Sequence, residues 1–443
     1  MVVARRSCVR RIFEARRSIL PALCGISLLF APSTPAQTFQ PSTPFERSSD
    51  AVDQSLHGQP PDQSLTGAPV SENFRRLHYE LTIQLSEIYD SNISLVPDNP
   101  VDDFYTRMGA VLTLGFGDTV VREENFVELF YEPELLLFAD HSNFDSVQHF
   151  FYLAGQYRFS RLTLGLAQKI QLADTGDPQL PGFSGTIVNG VNIDTGGRRR
   201  IDIYTTHLSA TYQLTGKTYL SSAGDYELYD YSEGLTNSDK ISGDLLLNYQ
   251  YSPKLVAGLG ATAGRNLLTE PDSDQTFEQA NLRATYSPTG KISATVLAGI
   301  EFRQFDNGSR DLVSPVFDLS ASYAPFDGTN ITVDANRGTQ NSASTPDQDY
   351  ISTQIQLTAR QRLLQRVVVS LITGYQNLDY FAASPHTRAT RGDDYYFVEP
   401  SIDIRITNFW YAGAFFVYRE NKSNFSNFSF DDKQVGIRSA LNF

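Results

Sequence analysis

The chain has 443 residues and a formal net charge of −14, with 50 Asp and Glu against 36 Lys and Arg. That acidity argues against nucleic acid as a partner, since binding to phosphate backbones depends on clustered Lys and Arg. Both cysteines, Cys8 and Cys24, fall within residues 1–36, so a mature chain lacking that segment would hold no thiol for disulfides, covalent catalysis or thiolate metal sites.

Residues 1–18 carry Arg5, Arg6, Arg10, Arg11, Arg16 and Arg17, and an apolar run from Ile19 to Ala31 follows. Small residues and prolines then lead to Thr34-Pro35-Ala36. A basic start, a short apolar core and a small-residue cleavage site read as a secretory signal peptide over 1–36. The apolar run is short for a membrane anchor. Leu23 stands before Cys24 where a lipoprotein signal needs a small residue, so lipidation is not expected. Residues 37–75 are rich in Pro, Ser, Gln, Thr and Asp without apolar periodicity. Such a composition buries too little surface to offset ordering entropy, and the stretch reads as a disordered periplasmic leader, with a plug or partner-docking role as the functional alternative.

From Leu77 onward a period of two takes over. Leu77, Tyr79, Leu81, Ile83 and Leu85 alternate with His78, Glu80, Thr82, Gln84 and Ser86. Val127, Leu129, Tyr131, Leu135 and Leu137 oppose Glu128, Glu132 and Glu134, and Leu162, Leu164, Leu166, Ile170 and Leu172 oppose Thr163, Gly165, Lys169 and Gln171. Further examples run through 241–251, 292–302, 313–323 and 396–406. Alternation of this kind means extended strands with one apolar face, and no stretch shows the 3.6-residue period of an amphipathic helix. Turn-forming residues such as Thr215-Gly216-Lys217, Ser252-Pro253-Lys254 and Phe326-Asp327-Gly328 separate some strands. Longer polar loops near 86–102, 139–146, 173–199, 230–239, 266–275, 305–312, 337–348, 380–393 and 420–432 separate the others. Short and long connections alternate, with about eighteen strands (16–18) in all, the layout of outer-membrane barrels. Tyr249, Tyr251, Tyr286, Tyr323, Tyr395, Tyr396, Tyr411 and Tyr418 lie near strand ends, where aromatic girdles form.

The final stretch, Lys433 to Phe443, sets Val435, Ile437, Leu441 and Phe443 against Gln434, Gly436, Arg438 and Asn442. It resembles the closing strand of bacterial outer-membrane barrels, and that resemblance implies that Phe443 is the signal read by the barrel-assembly machinery. The expected fold is therefore all-β: a transmembrane antiparallel up-and-down β-barrel over 76–443, in the outer membrane, with both termini periplasmic. A propeller or solenoid would need a sequence repeat, and the chain shows none. A soluble sandwich would not call for a signal peptide and an aromatic terminus together.

Tyr89-Asp90-Ser91-Asn92-Ile93, followed by Val96-Pro97-Asp98 and a strand ending in Leu114-Gly115-Phe116-Gly117, resembles the opening hairpin of the putative β-barrel porin 2 family. The resemblance implies an outer-membrane barrel over about 77–443, some relatives being encoded beside exopolysaccharide or capsule assembly genes. It carries over no catalytic residue. Read physically, Asp90 and Asn92 suit a loop takeoff, because their side chains bond the local backbone.

No residue pattern calls for chemistry. His57, His78, His141, His149, His207 and His386 fall into no triad with Ser or Asp, and no phosphate loop or metal-ligand spacing appears, so neither enzymatic function nor a cofactor is expected. The polar register instead suggests a hydrated wall: Asp403, Arg405 and Arg438 are candidate lumen residues, together with Glu80, Glu128, Asp202, Asp244, Glu278, Arg283 and others. The longest loop, Ala173 to Arg199, ends in Arg198-Arg199-Arg200, a candidate constriction if the loop folds inward. If it stays outside, these guanidinium groups suit lipopolysaccharide phosphates. The expectation is a porin-like channel for passive passage of small hydrophilic solutes or saccharides. The alternative is a non-conducting barrel that assists exopolysaccharide or capsule export, with export components as partners beside membrane lipid.

Overall fold

A computed structural model describes residues 77–119, 124–178, 187–232, 234–306, 311–383 and 391–443. The signal-peptide and leader readings, His57 and His386 lie outside these residues. The strands are β1 (Leu77–Asp90), β2 (Asp103–Gly117), β3 (Phe126–Phe138), β4 (Ser146–Arg158), β5 (Leu162–Asp174), β6 (Arg200–Gln213), β7 (Thr218–Tyr231), β8 (Ser238–Ser252) and β9 (Leu255–Leu268). They continue as β10 (Gln275–Thr289), β11 (Ile292–Phe305), β12 (Leu312–Tyr323), β13 (Thr329–Asn341), β14 (Gln348–Leu363), β15 (Val367–Ala382), β16 (Gly392–Arg405), β17 (Trp410–Ser423) and β18 (Phe430–Asn442).

These form one 18-stranded antiparallel sheet in which each strand pairs with its sequence neighbours and β1 pairs with β18. Closure runs from Thr82↔Asn442 to Asp90↔Gln434. Two backbone bonds extend it, Phe443 N–H to the Leu81 carbonyl at 2.9 Å and Leu81 N–H to the Phe443 carbonyl at 3.2 Å. The terminal residue therefore takes part in sealing the wall. Closure gives every strand a neighbour on both sides, the condition for a β-structure to cross lipid.

Polarity is inverted relative to a soluble protein. Along β1 the apolar Leu77, Ile83 and Leu85 are exposed at 65%, 48% and 46%, while Thr82, Ser86 and Asp90 are buried. The same inversion holds around the wall, with Leu245, Leu259, Leu282, Ile300, Val435 and Ile437 exposed. A sandwich would bury this face. Here lipid covers it, and the polar face lines the interior, so the fold is a transmembrane β-barrel. An even strand number puts Leu77 and Phe443 at the same end, where the connections are short; the longer loops share the opposite end.

Strands of 12 to 16 residues at about 3.3 Å per residue outrun the 9–11 residues that a bilayer requires. They extend past the apolar band, and the loops are accordingly shorter than their polar sequence suggests: 91–102 and 342–347, for instance, in place of 86–102 and 337–348. Antiparallel pairing needs only backbone groups, so polar sequence on both faces does not stop a ladder that is already under way.

Three outward prolines mark breaks in this wall. Beside Pro133 the β2–β3 ladder lapses between Gly109↔Glu134 and Leu112↔Tyr131, and beside Pro400 the β16–β17 ladder lapses between Val398↔Tyr418 and Ser401↔Phe415, the register being the same on either side. Pro315 lies in the stretch of β12 that has no β13 partner, since that ladder covers only Phe317–Tyr323 with Ile331–Arg337. A residue without N–H is tolerated where a ladder is already interrupted.

Candidate functional site

Cross-strand register assigns every strand residue to one face. Asp403 opposes Gly413, which opposes Arg438, which opposes Ser86, so all four share the inward register. Arg438 holds Asp403 through two bonds, Nε to Oδ1 at 2.7 Å and an Nη to Oδ2 at 2.5 Å. Arg405 opposes Tyr411 on the same face. Inward glycines make room for rings from the next strand: a Cβ at Gly436 would strike Phe415, one at Gly374 Phe397, and one at Gly264 Phe277.

Two residues expected in the lumen face outward instead. Asp202 opposes Leu172 and ion-pairs with Arg200 at 3.3 Å, and Glu278 opposes the exposed Phe302. Both lie near the loop end, above the apolar band, where either face tolerates charge. Tyr395 and Tyr411, expected in the girdle, are buried on the inward face, whereas Tyr249, Tyr251, Tyr286 and Tyr323 are exposed on the outer one.

The long loop between β5 and β6 enters the barrel. Its described residues include a tight hairpin in which Val188 and Val191 exchange backbone bonds of 2.9 and 3.0 Å, with Asn189 and Gly190 at positive φ. Ile187, Val188, Val191 and Ile193 are buried. Val188, Val191 and Ile193 pack with Leu95 and with inward residues of β14 to β18, namely Tyr350, Leu378, Tyr380, Tyr395, Phe397 and Phe430. The hydrophobic effect thus seats the segment on one of several apolar clusters of the inward face, others gathering Phe126, Phe130, Phe150 and Tyr152, and Ile88, Tyr105, Leu136 and Phe415.

Three wall arginines fasten it. Arg107 of β2 reaches Asp177 at 3.3 Å and also bonds Glu134. Arg419 of β17 pairs with Asp432 at 2.7 Å and donates to the carbonyls of Asn189, at 3.0 Å, and Gly176. Arg391, just before β16, pairs with Asp393 at 2.6 Å and donates to the carbonyls of Ile193 and Asp194 at 2.7 and 3.0 Å, stacking over Phe428 at 3.4 Å. The Asp194 carboxylate accepts from Ser342 Oγ and Ala343 N–H at 2.7 Å and from Tyr380 Oη at 2.9 Å. Guanidinium groups suit this task because their planar fork donates to a carboxylate and to backbone carbonyls at once.

Arg198, Arg199 and Arg200 are not gathered into one ring. Arg198 lies 4.9 Å over the inward Phe138 ring, Arg199 is exposed, and Arg200 sits on the outward register bonded to the Val147 carbonyl at 2.9 Å. The residues that hold the segment, Arg107, Arg391, Arg419, Asp177 and Asp194, were not singled out from sequence. One available signal was the apolar set Ile187, Val188, Val191 and Ile193, unusual in a loop that faces water throughout.

The histidines are dispersed. His149 faces outward with Nδ1 3.1 Å from Tyr131 Oη, His141 is 3.1 Å from Asp103 in a loop, and His207 is 2.6 Å from Asp225 on the inward face. Among the described residues no group of three or more His, Cys, Asp or Glu could hold a metal ion.

A closed wall, an outer apolar band, charged side chains on the inner face and an inserted loop define a transmembrane β-barrel with an internal segment. Residues 272–443, covering β10 to β18, match the model of the family described as putative beta-barrel porin 2. The match supports the resemblance over that part of the wall; the Tyr89–Ile93 motif lies outside it. No curated protein matches the chain. Among solved structures the chain is similar to a BenF-like porin from Pseudomonas fluorescens Pf-5, with a TM-score of 0.42 and 10% identity over 84% of this chain and 100% of that one. It is also similar to the outer membrane protein OpdK from Pseudomonas aeruginosa, with a TM-score of 0.41 and 10% identity over 83% and 99% of the two chains. OccK3 (OpdO) from Pseudomonas aeruginosa gives a TM-score of 0.40 and 14% identity over 82% and 96%. At such identities and scores no property is transferred.

Proposed function

We propose that the protein is an outer-membrane channel for passive passage of small hydrophilic solutes, saccharides among them, with both termini on the periplasmic side. The observation that carries this reading is the set of polar and charged side chains that a closed wall turns inward. Charges there are tolerable only where water reaches them or partners satisfy them, and a barrel of this strand number is wide enough for an aqueous lumen. The inserted segment between β5 and β6 narrows the loop end, so passage is selective by size. Arg198 contributes to that narrowing, whereas Arg199 and Arg200 are placed to meet lipopolysaccharide phosphates. Phe443 is the assembly signal.

Acidic side chains outnumber basic ones on the inward register, with Glu80, Glu128, Glu227, Asp244, Asp318 and Asp334 among them. Rows of carboxylates raise the local concentration of cations, so the channel favours cations and basic or neutral solutes. Purified protein in planar bilayers under a salt gradient tests both points. A unit conductance with a reversal potential of the sign for cation preference is expected; repeated insertion without conductance steps would falsify the channel reading.

A further inference from the structure

The β12–β13 ladder is the shortest in the wall, and the physical reason lies beyond it. On the turn side of that ladder, Ile331 and Val333 of β13, Ile355 and Leu357 of β14 and Val369 and Leu371 of β15 form the lipid-facing register. On the loop side the same register is mainly polar: Arg337, Thr339 and Asn341, then Asp349 and Thr353, then Asn377 and Asp379, with Ile351, Tyr375 and Phe381 between them. That polar face would be costly in lipid, and it does not meet lipid. It folds inward and laps over the inner face of β9 to β11.

Four contacts define the lap. Asn266 Nδ2 of β9 donates to Asn341 Oδ1 of β13 at 3.0 Å. Gln275 Nε2 of β10 donates to Asp349 Oδ1 of β14 at 3.0 Å. Arg303 of β11 donates to the Thr339 carbonyl of β13 at 3.2 Å. The rings of Phe305 on β11 and Phe381 on β15 meet edge-on at 6.4 Å. On their other side the lapped strands offer Tyr350, Leu378 and Tyr380 to the inserted segment. The loop-side halves of β13 to β15 are thus a flap held between the segment and the opposite wall.

The geometry points to a gate at this seam: the flap swings out of the lumen, completes its ladder with β12 and widens the loop end. The existing register continues without adjustment, placing Val316 opposite Gly338, Pro315 opposite Thr339, Ser314 opposite Gln340 and Val313 opposite Asn341. Opening exchanges the bonds of the lap, together with that of Thr236 N–H to the Ala343 carbonyl at 2.8 Å and that of Asp347 N–H to Asp272, for backbone bonds of the extended ladder. Ser342, Ala343 and Tyr380 also leave the Asp194 carboxylate, and Tyr350 and Leu378 their seat on the segment, so the lapped packing is the more stable of the two and the completed ladder offsets part of its loss. Pro315 limits the completed ladder, since it offers no N–H, and so keeps the swung-out state from becoming permanent. In that state Thr339, Asn341 and Asp349 stand near the loop end, where headgroups and water replace the lost partners.

The gate rests on the channel reading, and paired cysteines separate the two. In a chain with Cys8→Ser and Cys24→Ser, Asn266→Cys with Asn341→Cys bridges the lapped state, and Ser314→Cys with Gln340→Cys bridges the completed ladder. Each pair is oxidised in native outer membranes and scored by gel mobility, and the purified protein is then followed in planar bilayers before and after reductant. Both cross-links are expected to form. The first should hold conductance low, with reduction raising it about twofold or more, and the second should hold it high. A static wall, in which the Asn266–Asn341 pair forms but the Ser314–Gln340 pair does not, overturns the gate. So do equal conductances of the two locked forms, or failure of the lapped pair to form at all. If no form conducts, the channel reading fails, while the two cross-linking yields still decide whether the seam moves.

Discussion

Arg419 offers the sharpest test of how the inserted segment is held. Its guanidinium, with no measurable exposure, bonds Asp432 and donates to the carbonyls of Asn189 and Gly176. Removing Arg419 alone would strand the Asp432 carboxylate in a buried site, at about 3–5 kcal/mol, and would confuse folding with docking. The double variant Arg419→Met with Asp432→Asn avoids the stranded charge. It removes two charge-assisted bonds to the segment, each contributing about 1.5–3 kcal/mol, hence about 3–6 kcal/mol of docking. At 1.4 kcal/mol per decade, the docked population falls relative to the undocked one by about a hundredfold to ten-thousandfold. Arg107, Arg391 and the apolar seat remain, so the expected phenotype is frequent undocking in an intact barrel. The assay is paired: single-channel recording, where larger and noisier openings are expected, and limited proteolysis in detergent, where new cleavage between residues 174 and 200 is expected. Unchanged conductance together with an unchanged cleavage pattern would refute the view that these bonds hold the segment.

The three arginines at the end of the loop should separate in the same recordings. Arg198→Ala, which uncovers the Phe138 ring, alters conductance, whereas Arg200→Ala, on the outer face, leaves it within error; equal effects would undo this assignment. Deleting Phe443 removes both backbone bonds to Leu81 and lowers the amount of protein in the outer membrane, measured by quantitative immunoblot of fractions, without changing the unit conductance of what is assembled. Gly436→Val drives a side chain into Phe415 and costs about 1–3 kcal/mol of strain, read as a lower temperature for loss of the compact band on semi-native gels. Asp244→Asn with Asp334→Asn removes two inward carboxylates and shifts the reversal potential toward zero; a shift of opposite sign would rule out acidic control of selectivity.

The alternation from Leu77 onward determined the architecture by itself. A period of two on nearly every strand, with short and long connections in turn, specifies a closed antiparallel wall and which face meets lipid, because facing is settled by sequence parity alone. Asp403, Arg405 and Arg438 lie on the inward register, the face that parity assigns them. Parity fails where the apolar band ends. Asp202 and Glu278 sit on the outer face near the loop end, and Tyr395 near that end and Tyr411 near the short-turn end sit on the inner, since beyond the apolar band neither face is held to one polarity. The same loss of contrast hid the flap: Arg337 to Asn341 read as loop, although they continue a strand.

Where the chain touches itself across the lumen follows from the closed three-dimensional wall and from nothing local. Asp177 and Arg107, Asn189 and Arg419, or Asn266 and Asn341 lie on segments far apart in sequence, and no local period couples them. Their meeting depends on the curvature of the closed wall, which brings opposite strands within reach of one inserted loop. The strands determine that there is a lumen. The long-range contacts determine how much of it is open.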